Sequence, residues 1–356
     1  MRDERFVAAL AVTQPEQPLP FRAAIDVLGI ALRVEADHPA LLDAAVAALG
    51  GARMLEAARS TAAALELDAG PRLVLRTTTD STTRSTGTPL DHGTARDGQL
   101  LFAGAGCRGR VDLERNFAIA DIAPGLLRDE VRSREVLHAF VLVMLTRMDR
   151  QPVHAAAVAL GDRGLLLAGP SGTGKSTLAC AAEVAGLRVL SDDTVFVQLQ
   201  PQTRIRAMPG PLFLPPSAAA RFPDAVSSPV VRANGKVKIA MPGPDTCSVV
   251  ERVGLCVLEP PAGAAGDAER AMHEVDPGVP ALEPIAPETA IARVLDALSP
   301  GFDVFGESLA PRLRACTRLG SWRLRLTDDP HAAARLLVET LRTLEARGIP
   351  APPPDG

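Results

Sequence analysis

Three short stretches carry residue types that chemistry can use. The run GPSGTGKS, Gly169 to Ser176, fits G-x-x-x-x-G-K-[ST] at every position and stands between an apolar stretch, GLLLA, and a helix-forming one, STLACAAEVA. A glycine-rich turn from strand to helix lets backbone N–H groups curl around phosphate oxygens, and the helix N-terminus adds its partial positive charge. In that setting Lys175 bridges the β- and γ-phosphates and the Ser176 hydroxyl ligates Mg²⁺. Gly169, Pro170, Ser171, Gly172, Thr173, Gly174 and Thr177 complete the cradle, so the expected ligand is Mg²⁺-ATP.

One helix later the chain reads LRVLSDD, and Asp192 follows Lys175 by seventeen positions. In α/β sheets the strand ends on the loop side face the ligand crevice, which sets Asp192 and Asp193 near the terminal phosphate. Two jobs are open to carboxylates there, metal ligand and general base. Two like charges side by side also raise one pKa, which suits a base. Taken alone, the pair reads equally well as a solvated turn that ends a strand. His154, in PVHAAAVAL, precedes Gly169 by fifteen positions on the strand before the loop strand. By itself it is better read as a core histidine.

The third stretch is marked by composition. Of 38 basic residues only three are lysine: Lys175, Lys236 and Lys238. In so arginine-rich a chain a lysine marks a position where a compact point charge serves and a planar fork does not. Lys236 and Lys238 share the segment RANGKVKIAMPG. An Asn-Gly turn followed by a strand points both to one side, within reach of a γ-phosphate. Arg204 and Arg206, alternating on another strand, are weaker candidates for the same work, and a solvated hairpin is the plain alternative.

Taken together, the histidine strand, the GPSGTGKS loop and the strand ending in Asp-Asp resemble the C-terminal catalytic domain of HPr kinase/phosphorylase, in order and in distance. The resemblance covers about 153–197 closely and the remainder in outline. It implies an α/β nucleotide-binding domain of the HPr kinase/phosphoenolpyruvate carboxykinase type with a mixed sheet. It implies Asp192 as the base that takes the proton of an acceptor serine, Asp193 as Mg²⁺ ligand or support of the base, and His154 as a phosphate-facing or supporting residue. It also implies a protein or peptide acceptor. The chain departs from the family at Thr177, where an acidic residue is usual, in lacking the later motif with a second metal-binding glutamate, and in its N-terminal half. It therefore reads as a divergent HPr-kinase-related protein. A small-metabolite kinase is the near alternative, and a nucleotide-dependent switch or assembly factor without an acceptor is the alternative from another class. A transporter ATPase does not fit: there is no LSGGQ-like segment, and the acidic pair follows the loop too soon.

The elements that must hold these residues follow from periodicity and punctuation. The chain has 356 residues, so two domains are expected. An N-terminal α+β domain over 1–125, assigned to acceptor or partner selection, carries strands within 21–36, a helix from Asp37 to Gly50, an exposed Thr/Ser-rich loop over 76–93, and strands at QLLFAG and RNFAIADI. A long helix over 126–148 opens the kinase domain, 126–348. Short apolar strands follow at 153–160, 163–169, 187–193, 195–199, 254–259 and 321–327, with helices over 287–298 and 330–347, the last capped by Asp329. The tail, 349–356, reads as disordered.

Bulk properties narrow the partners. The net charge of −4, the absence of tyrosine and the lack of aromatic-basic interleaving argue against nucleic acid. No apolar run reaches the roughly 18 to 20 residues that span a bilayer, and the N-terminus lacks a signal-peptide layout, so the expected location is cytoplasmic. The five scattered cysteines form no Cys-x-x-Cys and read as reduced thiols. Oligomeric state is open, a homo-oligomer included.

Overall fold

The computed structural model describes residues 9, 12–13, 17–50, 70–79, 90–94, 98–208, 212–223, 226–231, 235–239, 248–260, 279–297 and 309–346. The tail 349–356 lies outside them. The fold is mixed α/β with two large mixed sheets, and the chain divides into compact units over Met1–Arg150 and over Gln151–Pro244 with Ser248–Gly356. No helix among the described residues is long and apolar enough to cross a membrane.

The first unit is a seven-stranded sheet in the order β1-β2-β3-β7-β6-β5-β4. Its strands are β1 (Phe21–Val27), β2 (Ile30–Ala36), β3 (Arg72–Thr77), β4 (Leu90–Thr94), β5 (Leu100–Gly104), β6 (Cys107–Asp112) and β7 (Phe117–Ile122). β3 pairs in parallel with β2 and β7, and the other pairs are antiparallel. Helices α1 (Pro39–Gly50) and α2 (Glu130–Arg147) pack against each other and against these strands. Away from its apolar rows the sheet carries arginine–carboxylate sets. Arg72 meets buried Glu35, and Arg76 and Arg108 share buried Asp121.

Three sequence expectations change here. The division falls after Arg150 rather than at residue 125, because α2 buries Val136, Leu137, Phe140, Val141, Met144 and Leu145 within the first unit. Its N-cap is Asp129, whose carboxylate accepts from Arg132 N; Leu126–Arg128 form a separate 3₁₀ turn. The span 76–93 is not wholly loop. Arg76 and Thr77 belong to β3, and Leu90–Gly93 to β4, because both ends find pairing partners; 80–89 lie outside the described residues. Asp37 does not cap α1. Its carboxylate takes the backbone N–H and hydroxyl of Thr77, and His38 Nδ1 accepts from Ala40 N in its place.

The second unit is built on a nine-stranded sheet in the order β16-β12-β11-β8-β9-β17-β19-β18, with β10 also paired to β8. The strands are β8 (Gln151–Leu160), β9 (Arg163–Ala168), β10 (Arg188–Ser191), β11 (Thr194–Gln198), β12 (Arg204–Ala207), β16 (Ser248–Val250), β17 (Arg252–Glu259), β18 (Ala281–Pro284) and β19 (Ser321–Arg325). β17 runs parallel to both β9 and β19. Alternation along β8 feeds two cores. Ala156 and Val158 join Leu178, Ala181 and Leu337 from helices α3 (Lys175–Val184) and α7 (Pro330–Ala346). Val153, Ala155 and Ala157 join Ile291, Val294 and Leu313 from α5 (Pro287–Asp296) and α6 (Leu309–Ala315). The sheet is therefore covered on both faces, as its near-continuous apolar strands require. Asp329 caps α7 as expected, accepting from the backbone N–H of His331 and Ala332. A small sheet of β13 (Leu212–Leu214), β15 (Val237–Ile239) and β14 (Val226–Val231), with the short α4 (Pro216–Ala219) beside it, packs on the α3 side through Leu212, Leu214 and Ile239.

Candidate functional site

The site begins where β9 ends. Arg163–Ala168 are buried throughout, and β8 and β17 pair with β9 on either side, so the entry to the glycine-rich turn is fixed. Gly172 has φ 83° and Gly174 φ 101°, left-handed values that side-chain-bearing residues rarely adopt. Gly174 is the N-cap of α3 and offers no side chain to it. The N–H groups of a helix's first turn have no intrahelical acceptor, and they carry the positive end of the helix dipole. Pro170, Ser171 and Gly172 are exposed, Thr173 is buried with its hydroxyl donating to Pro170 O, and Ser176 and Thr177 sit half-buried in the first turn of α3. Leu326, past the end of β19, lies against Gly174: a Cβ added there would stand 3.6 Å from Leu326 Cδ1.

Lys175 is 6% exposed, and its ammonium donates to the carbonyls of Gly169 at 2.7 Å and Pro170 at 3.0 Å. Burial holds its pKa below the usual lysine value; the Asp193 carboxylate opposes this and the Lys236 charge adds to it. His154, on β8, has Nδ1 3.4 Å from Asp193 Oδ1. Burial first, then the charge of Lys175, lowers the imidazole's pKa; Asp193 works against the shift and Lys236 with it. Lys175 and His154 therefore both lie in the field of Asp193 and Lys236.

The aspartates owe their position to a break in one strand pairing. Ser191 pairs with Ala157 and Thr194 with His154, one antiparallel register along β8, and Asp192 and Asp193 bend out of it between these pairs. Ser191 Oγ fixes the bend by accepting from the N–H groups of Asp193 and Thr194, at 3.3 and 3.2 Å. The sequence reading did not give this role to Ser191, although a serine ahead of an Asp-Asp pair is ordinary turn chemistry. Asp192 is half-buried, and its charge reaches Cys180 on α3; burial, then Glu183, then Asp192 push that thiol up to about 12.

The two lysines of the third stretch part company. Lys236, half-buried beside Gly235, acts on both Lys175 and His154. Lys238 pairs through its backbone with Phe213 on β13, and its side chain lies outside the described residues. Arg204 and Arg206 are engaged on the other side of β11. Arg204 is 2.8 Å from Glu251, and Arg206 Nε donates to Gln198 at 2.8 Å.

No set of three or more His, Cys, Asp and Glu side chains among the described residues makes a cage for a metal on its own. The donors near the loop are the Ser176 hydroxyl and the aspartate carboxylates. Such a sparse set of hard oxygens fits Mg²⁺, which keeps several waters and takes its remaining ligands from phosphate. The chemistry these groups can do is to bind an anion on a backbone cradle, neutralise it with one or two ammonium groups, and present a carboxylate beside it.

No family model matches the chain, and no curated protein matches it. A solved structure that does match is the HPr(Ser) kinase/phosphatase from Coxiella burnetii, at 15% identity and a TM-score of 0.28, over 56% of this chain and 99% of that one.

Proposed function

We propose that the second unit is a Mg²⁺-ATP-dependent phosphotransferase. The observation that carries this reading is the turn itself, left-handed at Gly172 and Gly174, which leads from a buried strand into α3 with Lys175 buried at its first position. Lys175 and His154 both sit below their ordinary pKa values, chiefly by burial; the charge of Lys175 adds to the shift at His154 and that of Lys236 to both, with Asp193 as the opposing charge. A site with that imbalance favours an anion. The turn of Gly169, Pro170, Ser171, Gly172, Thr173 and Gly174, with Ser176 and Thr177 behind it, is the backbone to receive polyphosphate. Lys175 exchanges its two carbonyl partners for phosphate oxygens, and Lys236 meets the terminal phosphoryl group from the small sheet.

Transfer then needs an incoming hydroxyl. One carboxylate of the aspartate pair takes its proton, the hydroxyl oxygen forms a bond to the γ-phosphorus, and the bond from that phosphorus to the bridging oxygen breaks, leaving ADP with the electron pair. Ser176 and an aspartate would hold Mg²⁺, which would supply neutralising charge to the phosphate oxygens. Lys236 supports the same charge, and Lys238 is the second candidate from its segment. The acceptor that the family resemblance favours is a serine of a protein or peptide.

The test is γ-labelled ATP with purified protein and a lysate of the source cells. Label on a polypeptide supports the reading, and label in the small-molecule fraction moves it to a metabolite kinase. Free phosphate alone, at the same rate after both aspartates become Asn, would leave a nucleotide-dependent switch and sink the transferase. Lys236→Met removes one charged partner of the phosphate. Since such a hydrogen bond contributes about 1.5–3 kcal/mol, ATP should bind roughly tenfold weaker or worse, read by calorimetric titration. Unchanged affinity would take Lys236 out of the site.

A further inference from the structure

Asp192 and Asp193 are neighbours in the chain but not in their surroundings. On β8, Ala156 and Val158 face α3 while Ala155 and Ala157 face the other core, so His154 stands on the α3 side with the turn. Asp193 swings out at the bend that Ser191 Oγ holds. Its carboxylate comes to 3.4 Å from His154 Nδ1 and faces the charge of Lys175. Its side chain is 53% exposed, so an incoming group can reach it. Asp192 is half-buried and acts instead on Cys180. Cys180 lies four positions after Ser176 on α3, and Glu183 follows three later, so the three share one helix stripe. Val189 of β10 donates to Glu183, which sets that stripe against the strand leading to Asp192. One carboxylate thus belongs to the Ser176 side of the turn and the other to the His154–Lys175 side.

We propose that Asp193 takes the proton of the acceptor hydroxyl, that His154 positions its carboxylate, and that Asp192 joins Ser176 in holding the divalent cation. This rests on the phosphotransferase reading above, and it exchanges the two aspartate roles that the family resemblance implies. A base must be within reach of the incoming hydroxyl, and Asp193 is the more exposed carboxylate. A ligand for the cation must share a side with the serine hydroxyl, and Asp192 directly follows the strand that the Val189–Glu183 hydrogen bond holds against the helix stripe of Ser176.

Three variants separate the roles: Asp193→Asn, Asp192→Asn and His154→Gln, each checked for ADP binding to show that the site is folded. Two readouts are used. One is phosphoryl transfer from γ-labelled ATP in the lysate assay. The other is Mn²⁺ affinity in the presence of ADP, followed by electron paramagnetic resonance, which needs no acceptor. Asp193→Asn should lower transfer by about 10²–10⁴-fold, the usual worth of a positioned base, and leave Mn²⁺ affinity unchanged. Asp192→Asn should weaken Mn²⁺ roughly 10–100-fold, the scale found when groups supporting a metal are removed, and excess Mn²⁺ should restore part of its transfer. His154→Gln should lower kcat at unchanged KM for ATP, as expected of a positioning residue. Transfer by Asp193→Asn within about threefold of wild type, well short of a base's contribution, overturns the proposal. So does a loss of Mn²⁺ affinity in Asp193→Asn but not in Asp192→Asn. If wild-type protein labels nothing, the phosphotransferase reading fails separately, and the Mn²⁺ titrations still decide the division: equal loss in both variants refutes it.

Discussion

Gly174→Ala tests whether the turn is a preformed cradle. Gly174 has φ 101° and ψ 14°, and its added Cβ would lie 3.6 Å from Leu326 Cδ1, an ordinary contact. The cost is therefore backbone strain alone. A left-handed residue with a Cβ costs about 1–2 kcal/mol, and the stiffer unfolded chain of alanine offsets about 0.4–1 kcal/mol of it. A net loss of about 1 kcal/mol lowers the melting temperature by about 2–4 °C for a unit of this size. In wild type, Mg²⁺-ATP at about a hundred times its Kd adds about 2.7 kcal/mol. Gly174→Ala should lose most of that increment, because relaxing the strain re-aims the first N–H groups of α3. Gly186 is the control: it has φ 92° at the far end of the same helix, and its Cβ would meet nothing within 4 Å. Gly186→Ala should show a similar thermal loss and keep the full nucleotide shift. Scanning calorimetry with and without Mg²⁺-ATP reads both. If Gly174→Ala melts at or above wild type and keeps the full shift, the turn is not held by its left-handed backbone and the cradle argument fails.

Two further outcomes follow from packing and burial in the same unit. Gly254→Ala would set a Cβ 2.5 Å from the ring of Trp322, the chain's one tryptophan; such overpacking costs about 1–3 kcal/mol, and both the urea midpoint and the tryptophan emission should move. Burial, partly opposed by the N–H of Val189, raises the pKa of Glu183. A carboxyl raised in the folded state binds its proton more readily there than in the unfolded chain, so this group's contribution to stability grows as pH falls through the folded value toward that of the unfolded chain. Glu183→Gln should flatten that part of the urea-stability profile, and an unchanged slope between neutral pH and that value would contradict the burial assignment.

The legible parts of the sequence were those in which local chemistry decides geometry. The glycines of the turn, the Asp329 cap of α7 and the short apolar runs of β8 and β9 each carry their own instruction. Less legible were choices settled by distant partners. Nothing in the local pattern of Asp37 tells whether it will cap α1 or bind Thr77, forty residues away. The long helix α2 is unmistakable as a helix, yet which unit it joins depends on which sheet its apolar stripe finds. Leu90–Thr94 has a strand's pairing without a strand's composition, because β5 supplies the pairing edge.

The aspartate pair shows how far both kinds of information are needed. Sequence spacing alone sets two carboxylates near a phosphate site and cannot tell them apart. The pairing along β8 can, because Ser191–Ala157 and Thr194–His154 keep one register while Asp192 and Asp193 between them leave the ladder. A continuous strand would alternate their side chains across the sheet and send one into the core beside Leu190 and Val195. The bend avoids burying a carboxylate among apolar groups, which without a partner costs several kcal/mol, and Ser191 Oγ stabilises it with two hydrogen bonds. Ser191→Ala should therefore loosen the pair while leaving the turn and Lys175 intact: nucleotide affinity should hold and transfer should fall. If transfer stays at the wild-type rate, the hydroxyl does not position the aspartates, and the break in pairing alone sets their geometry.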